Sequence, residues 1–135
     1  MATKVMYPSS KCRYTREHIW VYISGDVAVL GITDFQQNEL GEIITVQLPE
    51  VGQSFQASDV ITTLESVETT MEVRTPHLFG EVVEVNTSLS RSPKLINSHA
   101  RSYGWLVKIR IASISEANAF MDENQYNAYL VDSLS

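Results

Sequence analysis

Short strand-like runs recur along almost the whole chain, each bounded by turn residues, and this spacing restricts the fold more than any other feature. Residues 20–23 and 27–31 flank Ser24, Gly25 and Asp26, which read as a hairpin connection. A third run at 43–48 is closed by Pro49, Glu50, Val51 and Gly52, and further runs follow at 60–67, 71–75, 80–85 and 105–111. Many short strands at this spacing favour a β-sandwich or barrel over βαβ units, whose crossovers take about a dozen residues.

Helices interrupt the pattern. Thr33 with Gln36 reads as a capping box opening a short helix that Leu40 and Gly41 close. Asp122 with Gln125 opens a C-terminal helix in the same way, where Tyr126, Tyr129 and Leu130 form a core-facing stripe at i, i+3 and i+4. Residues 114–121 carry a second helical stripe. The expected organisation is one mainly β domain over 14–135 with peripheral helices, behind an N-terminal tail at 1–13. That tail has Lys4, Lys11, Arg13, two serines and no acid. Its composition is that of a short transit remnant, but it lacks an amphipathic period and reads as frayed. The compartment stays open between cytoplasm and mitochondrial matrix.

Composition narrows the function classes. A chain of 135 residues can hold a packed core without staples. Its single cysteine, Cys12, excludes an internal disulfide framework and a thiolate metal cluster. A net charge of −6 argues against nucleic acid or an anionic membrane as partner, because both polyanions are repelled. Apolar runs of a few residues exclude a transmembrane helix, and nothing in the pattern demands more than a monomer. Charge is uneven: between 59 and 86 six carboxylates (Asp59, Glu65, Glu68, Glu72, Glu81, Glu84) face Arg74 alone, a balance of −5. Between 91 and 110 stand Arg91, Lys94, Arg101, Lys108 and Arg110 with no acid. Either the two stretches neutralise each other across a folded core, or one of them docks a partner.

Catalytic chemistry finds little to hold. His18, His77 and His99 lack paired ligand spacing, so a metal site is not expected and each reads as a surface or structural histidine. No nucleophile elbow and no phosphate-cradling glycine loop is present. Glu65, Glu68 and Glu72 could form an acid/base pair, but on an exposed hairpin they would be solvated and hard to shift in pKa.

The informative stretch is VITTLESVETTMEVRTP at 60–76. Two strand-like arms meet at Val67 and Glu68, which places both at a tight turn projecting from a sheet. A side chain at such a tip is exposed and rigidly presented, as passing a group between large partners requires.

The chain resembles the H proteins of the glycine cleavage system, a family of lipoyl carriers, from Tyr14 to Leu130. The most specific match is GITDFQQNELGEI at 31–43 followed by VQLPEVG at 46–52. YTREHIWV at 14–21, ESV at 65–67, GEV at 80–82 with Val85 and Asn86, PKLIN at 93–97 and GWL at 104–106 continue the likeness in order and spacing. The resemblance implies a hybrid barrel-sandwich, the hammerhead form of lipoyl and biotinyl domains, with short peripheral helices and a C-terminal helix. It also implies partners. The pyridoxal-phosphate-dependent P protein loads an aminomethyl group onto the lipoyl dithiolane, and the folate-dependent T protein receives it. The flavin-dependent L protein reoxidises the carrier, and lipoate-attachment enzymes install the arm.

The family's motif reads ESVK, with lipoate acylating the lysine. By the resemblance Glu68 stands at that position, flanked by Glu65, Ser66, Val67 and Thr69. A carboxylate has only acceptor oxygens and cannot form the amide, and no lysine lies between Lys11 and Lys94. The chain is therefore expected to carry no lipoyl arm, no other cofactor and no catalytic constellation. Glu68 also adds a negative charge beside Glu65 and Glu72, a modest and salt-screened repulsion. Glu17 and Glu72 match acidic family positions near the carrier site and are the expected partner-docking residues. Elsewhere the chain departs from the pattern: Ile19 stands where the family usually has Glu, and ARSYG at 100–104 stands where it has PYGEG. Three functions remain: a binding module or regulator of H-protein partners without an arm, an H protein whose acceptor lysine has been replaced, or an unrelated activity on the same scaffold.

Overall fold

The run IWVYIS at 19–24 alternates less strictly than a half-buried strand should, because both of its faces are covered. The computed structural model, which describes residues 6–76, 80–112 and 119–134, places this run in β2 (Ile19–Ser24), antiparallel to β3 (Val27–Ile32). Gly25 and Asp26 make the two-residue connection, with positive φ at Gly25 (63°), where a side chain would be strained. β3 pairs with β9 (Val107–Ile111), β9 with β8 (Gly80–Val85) and β8 with β5 (Ser54–Phe55), while β1 (Arg13–Tyr14) closes the far edge against β2. A second, smaller sheet runs in the order β4 (Ile43–Gln47), β6 (Val60–Ser66), β7 (Thr70–Arg74).

Side-chain alternation divides the larger sheet into two cores. Ile19, Val21, Leu30, Ile32, Val107 and Ile109 pack against Ile43, Ile61, Leu64 and Val73 of the smaller sheet. Trp20 and Val29 point the other way and pack with Cys12, Tyr14, Trp105 and Tyr126. Trp20 is fully buried, and its indole N–H donates to the Ala100 carbonyl at 2.9 Å. Its register partner is Gly31, where a Cβ would stand 2.5 Å from the indole ring.

The helices are α1 (Asp34–Leu40), α2 (Leu95–Ser98) and α3 (Glu123–Leu134). Thr33 Oγ1 accepts the Gln36 N–H at 3.3 Å, but the Thr33 N–H donates to the His18 carbonyl at 3.0 Å instead of to Gln36. At α3 the capping box is reciprocal, with Asp122 N–H on Gln125 Oε1 at 2.9 Å and Gln125 N–H on Asp122 Oδ1 at 2.8 Å. Tyr126 is buried and stacks on Tyr14 with ring centroids 4.6 Å apart, and Tyr129 and Leu130 are half-buried beside it.

Some expectations change. Residues 6–13 are packed rather than frayed: the Tyr7 ring lies 5.2 Å from both Trp20 and Tyr22, and Cys12 is buried. Burial pushes the Cys12 thiol up to about 11, so it stays protonated and unreactive. One tyrosine and one cysteine carry this packing, which average composition does not register. β5 and α2, of two and four residues, lie outside the expected elements because so short a segment has no periodicity to read. His77 and most of the stripe at 114–121 lie outside the described residues. Among the described residues no helix is long and apolar enough to cross a membrane.

The acidic and basic stretches meet on β8 and β9. Glu81 is the register partner of Arg110 and Glu84 of Lys108, with charge separations of 4.0 and 3.1 Å, and Arg110 also lies 3.6 Å from Asp26 at the β2–β3 turn. Neutralisation therefore accounts for both cations, at about 0–1 kcal/mol for each such exposed pair.

Gly31→Ala is expected to destabilise the protein by about 1–3 kcal/mol, since the buried Trp20 ring has no free space to move into. Urea unfolding checks this: the midpoint should fall with little change in slope.

Candidate functional site

The hairpin joining β6 to β7 turns through Val67 and Glu68 without a glycine. Neither residue takes a positive φ, so ordinary side chains fit there, and a buried serine secures the turn. Ser66 Oγ accepts the N–H groups of Glu68 (3.2 Å) and Thr69 (3.0 Å) and lies 3.1 Å from the Thr69 carbonyl, to which it donates. The Ser66 backbone N–H also donates to that carbonyl, at 2.8 Å. This is the local side-chain-to-backbone bonding that makes serine a turn former. Val67 is 60% exposed, and Glu65, Glu68 and Thr69 are exposed beside it.

The tip rests on the corner between α1 and β4. The Val67 N–H donates to the Glu42 carbonyl at 3.0 Å. Gly41 ends α1 at φ 83°, with its N–H on the Gln37 carbonyl at 3.0 Å. A Cβ at Gly41 would meet the Glu68 carboxyl at 3.9 Å, so that side chain leans over the corner. From α2, Asn97 Oδ1 accepts the Ile43 N–H at 2.9 Å, and its Nδ2 donates to the Gly41 carbonyl (2.9 Å) and Gln37 Oε1 (3.0 Å). Gln37, Gly41, Glu42, Asn97 and Lys94 line an open cleft of about 570 Å³. Lys94 pairs with Glu42 at 2.6 Å, and that hydrogen bond raises the pKa of its amine. The Glu68 carboxylate makes no ion pair or hydrogen bond among the described residues.

The other expected docking residues gather elsewhere. Arg74 bonds Glu72 Oε1 at 2.9 Å and the Ser58 carbonyl at 3.0 Å. Arg74 and Glu17 line a second cleft of about 440 Å³ with Tyr14, Phe120 and Met121. The fold thus pairs Glu72 with Arg74, sets Glu17 in the same cleft as Arg74, and brings Glu68 to the Gly41 corner. Ile19 lies in the core at 2% exposure. The altered segment at 100–104 is integrated into the fold: Arg101 accepts from the Tyr7 N–H at 3.1 Å, and Asn86 Nδ2 donates to the carbonyls of Tyr103 and Trp105 at 2.7 Å each. Two supports of the tip, Asn97 and Glu42, were not picked out by residue type, although both fall inside the matching segments PKLIN and GITDFQQNELGEI.

His18 holds structure. His18 takes φ 66°, and its Nδ1 lies 2.8 Å from the Tyr126 hydroxyl, itself 2.9 Å from Thr33 Oγ1. It thereby ties α3 to the start of α1, with Phe35 packed on its ring at 4.6 Å. Burial lowers its pKa, partly countered by Glu17 and Glu39. His99 is exposed, with its Nδ1 2.7 Å from Ser98 Oγ. Among the described residues no group of three or more His, Cys, Asp or Glu is placed to hold a metal.

Two outcomes follow from this geometry. Ser66→Ala should cost about 1 kcal/mol and speed hydrogen exchange at the Thr69 amide, read by NMR. The His18 effect has a definite sign. Unfolded, His18 protonates near pH 6.5, and folded, it does so only at lower pH. Between those values the unfolded chain binds more protons, so stability falls on acidification. His18→Asn, which tolerates the positive φ, should remove that component, shown by urea unfolding of both proteins at about pH 5.5 and about pH 7.5.

The glycine cleavage H-protein family model matches residues 12–133. The glycine cleavage system H protein of Parvibaculum lavamentivorans is 42% identical over 121 residues, covering 90% of this chain and 96% of that protein. That of Rubrobacter xylanophilus is 48% identical over 99 residues, covering 73% and 78%. The crystal structure of a glycine cleavage system H protein from Mycobacterium marinum superposes with a TM-score of 0.72 at 30% identity, over 84% of this chain and 97% of that one. Two β sheets, short helices and a C-terminal helix match along nearly the whole length, and the chain belongs to the glycine cleavage H-protein family.

Proposed function

We propose that this chain is a binding module of H-protein type in which Glu68 stands where the family bears its lipoyl-lysine. Without an arm it engages H-protein partners but transfers no aminomethyl group. The observation that carries this reading is the tip itself, ordered by Ser66 and Glu42 yet ending in a carboxylate. Lipoate attachment requires a nucleophilic primary amine, which Glu68 lacks. Lys94, the amine that the start of α2 brings into the cleft beside Gly41, is paired with Glu42 and does not lie on the hairpin. The residues at this tip therefore do not fit a lipoyl group. The module is a single domain over 14–135, onto which residues 6–13 pack. Its partners are the P, T and L proteins and the lipoate-attachment enzymes, and Glu17 and Glu72 are its docking residues. Both are exposed, which supports that role.

A second reading is favoured by one specific observation. None of the hydrogen bonds that order the turn uses the Glu68 side chain, so a lysine fits there without rearrangement. In that case the scaffold is a carrier lacking only its attachment point.

Intact mass after co-expression with a lipoate ligase tests both. The wild-type protein should stay unmodified and Glu68→Lys should gain one lipoyl group. Modification of the wild type at Lys94 or Lys11 would overturn the armless reading, and an unmodified Glu68→Lys would remove the second reading. Binding to purified P or L protein should be detectable at low salt and weaken as salt rises. No binding at low salt would overturn the module.

A further inference from the structure

We infer that Asn97 is a positioning residue for the hairpin tip, acting through the peptide that joins Glu42 to Ile43. The N–H of that peptide donates to Asn97 Oδ1 at 2.9 Å, and its C=O accepts the Val67 N–H at 3.0 Å. The peptide unit is planar, so turning one end turns the other. The preceding peptide is held as well, because Asn97 Nδ2 donates to the Gly41 carbonyl at 2.9 Å. One side-chain amide therefore clamps two consecutive peptides.

The clamp is needed where it sits. Gly41, at φ 83°, has no Cβ to restrict rotation on its side of the corner. On the other side the β4–β6 ladder is broken by a register shift between Ile43 and Thr45. The Ser66 bonds lie wholly inside the hairpin, so they shape the turn without setting how it stands on the body. Beyond the β4–β6 pairing, whose last register pair is Ile43 with Ser66, the tip itself is held by the Val67–Glu42 bond, whose acceptor Asn97 orients. α2 thus sets the direction in which Val67 and Glu68 face a partner. That last step rests on the tip being the docking element; the positioning itself does not.

Amide hydrogen exchange of the free protein tests the positioning. In Asn97→Ala, the Val67 amide should exchange at least ~10-fold faster, while Thr69 and the β2–β3 amides stay within ~2-fold. Gln37→Ala, which removes one Asn97 partner but leaves the clamp, should keep Val67 within ~2-fold of wild type. An unchanged Val67 rate, or equal acceleration throughout the core, would overturn the proposal, the latter by making Asn97 a general stabiliser. If Asn97→Ala does not fold, Asn97→Asp keeps the acceptor for Ile43 but sets a carboxylate against the Gly41 carbonyl. Val67 should then exchange ~3-fold faster, and no change would overturn the proposal equally. Affinity for purified P protein, measured in parallel, should fall in the folded variant. If wild type itself does not bind, the functional reading fails while the exchange result stands.

Discussion

The β2–β3 ladder can exist only if both of its faces are covered, and most of the structure serves that need. Ile19, Val21, Leu30 and Ile32 require a lid on one side, which the three-stranded sheet provides. Trp20 and Val29 require one on the other, which the N-terminal segment, Trp105 and α3 provide. Leaving either set in water would forfeit about 1.5–3 kcal/mol for each large apolar side chain. The sheet that covers the first face is also the sheet that carries the hairpin, so burial of the core and presentation of the tip are one arrangement.

Charge follows the same division. Lys108 pairs with Glu84 across β8 and β9, Arg110 with Glu81 and Asp26, and Lys94 with Glu42 at the corner below the tip. Arg74 is drawn to Glu72. Glu65 and Glu68 keep no ion pair among the described residues, so the hairpin presents a local anionic end on a scaffold whose facing strands are neutralised. Surface pairs of this kind add little stability, and their consequence lies in which charges remain for a partner.

The strands were legible because alternation and turn residues are local signals, and the turn at Val67 and Glu68 was legible for the same reason. The family likeness was legible because its motifs keep their order. What stayed hidden was contact between segments distant in sequence. Asn97 has no local feature that sets it apart from a solvent-facing asparagine, since its partners are at 37, 41 and 43. Residues 6–13 read as frayed because Tyr7 and Cys12 pack against strands that composition cannot bring near. The apparent capping box at α1 formed only in part, because the Thr33 N–H found the His18 carbonyl, which tertiary pairing put within reach.

Residue order alone determined the strand count in outline, the hairpin tip, its family and the chemical fact that a glutamate cannot be acylated as an amine. These depend on period, turn chemistry and functional groups, which do not change when the chain folds. Only the tertiary structure decided that the tip is held at the Glu42 carbonyl, that Lys94 is tied to Glu42 beside it, and that Glu17 lines a cleft with Arg74 away from Glu68. Those are relations between segments, and they come into being only when burial of the two sheets brings the segments together.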